Sequence, residues 1–118
     1  MKKFKAGIVG ATGIAGQQFV VALQSHPWFE LTRLAASKRS AGKNFKDALV
    51  DAKTGARRWG CEEEPSAEVL ALPVEDGDAF DPRGLDVVFS ATESDVALRQ
   101  EPKFAQTTPV VSTHPCRC

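Results

Sequence analysis

The chain has 118 residues and carries 15 acidic and 15 basic side chains. That length holds one modest core, and the charge balance excludes the basic excess of a nucleic-acid surface. No apolar run approaches the ~20 residues that crossing a bilayer takes, so the composition, 42% apolar and 25% charged, is that of a globular protein.

Residues 4–9, FKAGIV, form a short apolar run stopped by Gly10, as a buried strand is. The stretch 14–26, IAGQQFVVALQSH, places Ala15, Phe19, Ala22 and Leu23 at helical spacing, and His26 with Pro27 closes that helix. His26 there sets a potential cation at the negative end of the helix dipole. Residues 30–37, ELTRLAAS, read as a second strand. Residues 38–66 are polar, with a short helix expected around NFKDALVDA (44–52) and no assignment for 53–66. EVLALPV (68–74) reads as a third strand, and LDVVFSA (85–91), after the turn signal DPRG, as a fourth. Thr92-Glu93-Ser94-Asp95 has capping-box spacing and opens a helix toward Phe104, which Pro102 must kink or end early. PVVS (109–112) is a last short strand. The alternation predicts an α/β fold: a Rossmann-like parallel sheet of about five strands, order 3-2-1-4-5, with flanking helices, a partial doubly wound fold.

Gly10, Gly13 and Gly16 stand at three-residue intervals between the first strand and the first helix. A phosphate-binding turn needs a glycine where the strand ends and the chain turns sharply. It needs another where a pyrophosphate approaches, and a third where helix lies against strand. The three glycines match those needs in that order. N–H groups at the helix start, with the positive dipole end, favour an anion, and Thr12 adds a hydroxyl. A turn built only for tight packing is the competing reading. The end of the second strand, about 20 residues on, separates NAD from NADP, because an acid there holds the ribose 2′-hydroxyl. Here the segment is Ala35-Ala36-Ser37-Lys38-Arg39-Ser40, without a carboxylate. Ser37, Arg39 and Ser40 suit a 2′-phosphate, Arg39 through charge-assisted hydrogen bonds. The expected cofactor is NADP, against the alternative of a solvated basic loop.

Three segments in this order, GATGIAG (10–16), LAASKRSAGK (34–43) and VFSATESDVA (88–97), closely resemble the N-terminal part of the aspartate-semialdehyde dehydrogenases of archaeal and fungal type. KNFKDA (43–48), Trp59 and VVS (110–112) also fall where that family has them. The resemblance spans roughly residues 3 to 112. It implies a domain that carries NADPH for reduction of an acyl phosphate, or the reverse, on the route to lysine, methionine and threonine. It further implies that Thr12, Gly13, Ile14 and Ala15 hold the phosphates, that Ser37, Arg39 and Ser40 hold the 2′-phosphate, and that Ser90 and Ala91 line the cofactor groove. Malonyl-coenzyme A reductases are similar, and acetylglutamyl-phosphate reductases share the glycine turn more loosely. Short-chain dehydrogenases with a GATG turn need a catalytic Y-x-x-x-K, and the chain has no tyrosine.

The same resemblance implies a cysteine thiolate that forms a thioester and a histidine acid/base, both in a second domain. Hydride transfer needs nucleophile, base and nicotinamide within reach of one carbon. His26, His114, Cys61, Cys116 and Cys118 do not fall on those positions, so no catalytic residue is assigned. His26 reads as a helix-end residue, and Cys61 has no histidine near it in sequence. His114, Cys116 and Cys118 are of metal-ligating type, but three so close together, with Pro115 among them, are a weak signal, and no metal is expected. The C-x-C end resembles that of doubly prenylated small GTPases, but the P-loop lysine motif is lacking. Three cysteines suit a reducing compartment, and the basic tip lacks a secretory core, so the cytoplasm is the expected location. Residues 1–113 are expected to be the cofactor domain and 114–118 a divergent tail. The expected function is NADP(H) binding by a chain truncated before its catalytic half and inactive alone. The alternatives are an interaction fragment that pairs with a full-length homologue and a fragment without function.

Overall fold

In chain order the elements are β1 (Phe4–Val9), α1 (Ile14–Leu23), β2 (Phe29–Ala36), α2 (Phe45–Ala48), α3 (Ala67–Leu70), β3 (Val74–Asp76), β4 (Val87–Ser90), α4 (Ser94–Ala105) and β5 (Val110–Ser112). They come from a computed structural model that describes residues 3–51 and 53–113. The expectations for His114, Cys116 and Cys118 lie outside the described residues. The strands make one parallel sheet in the order β3-β2-β1-β4-β5, which is the order that alternating strands and helices predict.

Both faces of this sheet are covered, which is why its central strands read as unbroken apolar runs. Ala6, Ile8, Leu34 and Ala36 point to one face and pack with Val20 and Leu23 of α1, Phe45 and Ala48 of α2 and Val69 of α3. Val9, Ala35 and Val88 point to the other and pack with Phe80, Leu85 and Phe104 of α4. The short strand β3 is tied to β2 by Arg33, whose guanidinium donates to both carboxylate oxygens of Glu75 at 2.9 and 2.7 Å. Arg33 also donates to the Asp81 carbonyl at 2.6 Å and stacks 4.4 Å over the Phe80 ring. On the opposite side of β3, the backbone of 42–45 runs alongside. Gly42 N–H donates to the Val74 carbonyl, Val74 N–H to the Lys43 carbonyl and Phe45 N–H to the Leu72 carbonyl.

Several local expectations need correction. Residues 68–74 are not a strand. Ser66 caps a one-turn helix by accepting from Val69 N–H at 3.2 Å, and β3 begins only at Val74. The first helix ends at Leu23, before His26, because Ser25 adopts φ +62. The imidazole Nδ1 of His26 then accepts from Trp28 N–H at 3.0 Å, so the ring serves the turn. The inward face of the helix is shifted from the expected one: Gly16, Gln17, Val20 and Leu23 are buried and Phe19 packs against the core, while Ala22 is exposed. At the second long helix Glu93, one residue later than expected, is the N-cap, and no side chain bonds back to cap it. Pro102 does not end α4, which continues to Ala105. The carbonyl that Pro102 cannot engage belongs to Leu98, on the exposed side, where water can take the place of the missing N–H.

The rotation of α1 follows from its glycine. A Cβ on Gly16 would run into the Gly10 carbonyl oxygen and lie 2.8 Å from Ala11 Cα. Only hydrogen fits there, so residue 16 and its helical neighbours 20 and 23 must face the sheet. Gly10 turns the chain with φ +82, and a Cβ on it would sit 2.8 Å from the backbone of Ala91. Gly13 is different: a Cβ there would meet nothing nearer than the Gly10 carbonyl at 3.7 Å. Gln17, fully buried, ties this turn to a distant loop. Its amide nitrogen donates to the Thr12 and Arg58 carbonyls, each at 2.9 Å, and its amide oxygen accepts from Gly60 N–H at 2.8 Å.

Gly16→Ala is expected to lower stability by roughly 3 kcal/mol or more through overpacking against backbone. Gly13→Ala costs about 1 kcal/mol, the difference between glycine and alanine at an N-cap. Urea titrations of both variants compare the two, and equal losses would contradict this packing. Gln17→Leu fills similar volume but strands three backbone groups, with an expected loss of about 2 kcal/mol. A Gln17→Leu midpoint equal to that of the parent would show the clamp to be dispensable.

Candidate functional site

The N-terminus of α1 opens at the C-terminal edge of the sheet, beside β1. Gly13 caps the helix without a side-chain hydrogen bond, and no acidic residue stands in the first turn. The N–H groups of the first turn therefore lack intrahelical partners and meet no carboxylate that would repel an anion. Connections from β1 run to β2 on one side and the sheet continues through β4 on the other. Ligands of open α/β sheets sit at such a switch point.

Two grooves meet here and share Thr12 and Ser37. The smaller, about 340 Å³, runs between the ends of β1, β2 and β4, with Val9, Ala36, Ala91 and Val96 as its apolar lining. Asp78 and Gln100 close one end of it. Hydrogen bonds from Gln100 and then Arg99 hold the Asp78 carboxyl below its ordinary value. Gln100 Oε1 is buried with no hydrogen-bond partner among the described residues. The larger groove, about 420 Å³, joins Thr12 to Ser37, Arg39, Ser40, Lys43, Lys53 and Arg58, with Asp51 as its one carboxylate. Asp51 accepts from Lys53 and Thr54 N–H at 2.8 and 3.2 Å. Those bonds, more than the charges of Arg58 and Arg39, lower its carboxyl from the ordinary range.

The expected site residues thus fall into three places. Gly10 and Gly16 shape the turn from within, while Thr12, Gly13, Ile14 and Ala15 form its outer rim, with Ile14 59% exposed. Ser37 and Arg39 are exposed and Ser40 is buried, all three lining the larger groove. Ala91 lines the smaller groove, but Ser90 is fully buried and lines neither; its Oγ lies 3.5 Å from Thr92 Oγ1. Sequence reading missed Lys53 and Arg58, which sit in the unassigned polar stretch, and Gln17, which holds that stretch in place. A glutamine in the inward stripe of a helix was the signal for the last. His26 precedes β2 and so lies at the opposite edge of the sheet, and Cys61 is half-buried in the loop after Gly60. Among the described residues no cluster of His, Cys, Asp or Glu is arranged to hold a metal, and no helix is long and apolar enough to cross a membrane.

Residues 5–113 match the family model for the semialdehyde dehydrogenase, NAD binding domain. The aspartate-semialdehyde dehydrogenase of Methanothermobacter thermautotrophicus is 41% identical over 100 residues, 85% of this chain and 26% of the relative. That of Archaeoglobus fulgidus is 38% identical over 117 residues, 95% of this chain and 30% of the relative. Among solved structures, aspartate semialdehyde dehydrogenase with NADP from Candida albicans superposes with a TM-score of 0.79 at 38% identity, covering 94% of this chain and 29% of the other. The chain thus spans between a quarter and a third of the length of these relatives. With the parallel sheet, the glycine turn and a match over nearly its whole length, the chain belongs to the family of semialdehyde dehydrogenase NAD-binding domains.

Proposed function

We propose that this chain binds NADP(H) and serves as the cofactor-carrying part of an aspartate-semialdehyde dehydrogenase, within a unit of residues 1–113. The observation that carries the preference for NADP is the end of β2. It presents Ser37, Arg39 and Ser40, and no carboxylate, to a groove rich in cations. An acidic residue there would repel a 2′-phosphate, whereas a guanidinium and two hydroxyls match its oxygens. The relatives named above, one of them solved with NADP, support the same reading.

In this reading the first turn of α1, from Thr12 to Ala15, holds the pyrophosphate through backbone N–H groups. Gly13 carries no side chain, so nothing stands between those groups and the anion. Val9, Ala36, Ala91 and Val96 offer the apolar walls that an adenine ring needs. The nicotinamide, when bound, supplies or accepts hydride. The groups that hold and activate the aldehyde or acyl phosphate are not within this unit. His26 is engaged by Trp28 at the far edge of the sheet, and Cys61 does not line either groove.

Calorimetric titration with NADP and NAD at matched salt tests the preference. NADP is expected to bind at least roughly tenfold tighter, and Arg39→Ala to weaken NADP by about tenfold while leaving NAD unchanged, as loss of a charge-assisted hydrogen bond predicts. NAD binding as tightly as NADP would overturn the reading. The chain alone, given NADP, phosphate and aspartate semialdehyde, is expected to form no NADPH above background in an absorbance assay. Steady NADPH formation would place the catalytic groups inside this chain after all.

A further inference from the structure

Most of the described arginines are neutralised locally. Among the six described, Arg33, Arg57, Arg83 and Arg99 form ion pairs with Glu75, Glu64, Asp81 and Asp78 at 2.6 to 2.8 Å. The two that form none among the described residues are Arg39 and Arg58, and both line the larger groove. They come from different elements, 19 positions apart in sequence. Arg39 follows β2. Arg58 ends a small hairpin in which Asp51 N–H donates to the Ala56 carbonyl and Val50 bridges Arg57.

The contrast within that hairpin is informative. Arg57 turns outward to Glu64, and Arg58 turns back toward the groove, where its Nη2 donates to the Ala48 carbonyl at 2.8 Å. That single bond leaves its other donors uncommitted to any described residue. The backbone of Arg58 is held too: its N–H donates to the Leu49 carbonyl at 2.7 Å, and its carbonyl accepts from Gln17. Gln17 binds the Thr12 carbonyl with the same amide nitrogen. One buried side chain therefore sets the distance between the anion-binding turn and Arg58. Arg39, Arg58 and Asp51 line the same groove, so both guanidinium groups and the one carboxylate face a common space.

We infer that Arg58 is a specificity-determining residue, a second guanidinium that reads the 2′-phosphate of NADP in the groove it shares with Arg39. This rests on the NADP reading above. Asp51 is the counterweight: its carboxylate occupies the groove when no phosphate does, and opposes a phosphate when one arrives. Two arginines from separate elements discriminate more sharply than one, because a ligand without the phosphate leaves both partly desolvated and without a partner.

The experiment is titration of the full chain with NADP, NAD, 2′,5′-ADP and 5′-AMP, using Arg58→Met, which keeps the aliphatic stem, and Arg39→Ala. Arg58→Met is expected to weaken NADP and 2′,5′-ADP by about tenfold, the loss of one hydrogen-bonded charge contact, and to leave NAD and 5′-AMP unchanged. Equal weakening of all four would make Arg58 a structural residue and overturn the inference. So would an unchanged preference in Arg58→Met while Arg39→Ala abolishes it, an outcome that leaves the NADP reading standing. A parent chain that binds NAD as well as NADP would remove both. Asp51→Asn keeps the acceptor for Lys53 and Thr54 N–H and removes the opposing charge. It is expected to tighten NADP about threefold relative to NAD, as for an exposed charge pair, a gain that misfolding cannot produce. If Arg58→Met does not fold, an unchanged NADP-to-NAD ratio in Asp51→Asn overturns the inference, and a raised ratio supports it.

Discussion

The contact between the first turn of α1 and the end of β1 governs the rest of this molecule. With no side chain at residue 16, the helix backbone comes to rest on the Gly10 carbonyl and the Ala11 Cα. That approach fixes the rotation of α1, and the rotation decides that position 17 points inward. A buried polar side chain must find partners, and Gln17 finds three on backbone groups of Thr12, Arg58 and Gly60. A steric fact at one glycine thereby becomes a hydrogen-bonded link to a loop more than 40 residues away. The larger groove owes its shape to that link.

Neutral net charge conceals how charge is arranged. Most arginines are matched to nearby carboxylates, while Glu62, Glu63 and Glu64 collect in the loop before α3, where Glu63 and the Glu64 backbone engage Gln24. The cations of the larger groove are left facing a single carboxylate, Asp51. Fields from such a groove act over about a Debye length, some 8 to 10 Å at ordinary ionic strength. Local arrangement, and not the total, is what an approaching polyphosphate would sense.

What could be read from the sequence was what depends on neighbours in the chain. The first strand, the glycine turn and the start of α1 lie within 20 residues and carry their own signals, glycine at the turn and an apolar run before it. The fourth strand was legible for the same reason. Apolar spacing gives Leu23 and Phe19 of the inward face of α1 but not its centre, because the deciding residue is a glycine and the most telling inward residue a glutamine. EVLALPV has the apolar content of a strand. Yet Ser66 offers its hydroxyl to the first turn of a helix, and β3 needs only the three residues that pair with Leu34, Ala35 and Ala36. Lys53 and Arg58 were illegible as site residues, since only the hairpin and the Gln17 clamp bring them to Arg39. That Ser37 and Arg39 would line this groove was legible because the end of the second strand is itself a fixed point of this architecture.

The backbone that runs beside β3 has a consequence for assembly. Val74 already uses both its outward N–H and its outward carbonyl on residues 42 and 43, and the Asp76 carbonyl accepts from Ala79. A further strand approaching from that side would find these three hydrogen-bonding sites already used. The described sheet is therefore closed at β3, and β5, with Val111 45% exposed, is its other boundary. Enlargement of the described sheet is hindered at β3 and not at β5, so the described sheet carries a built-in polarity of growth.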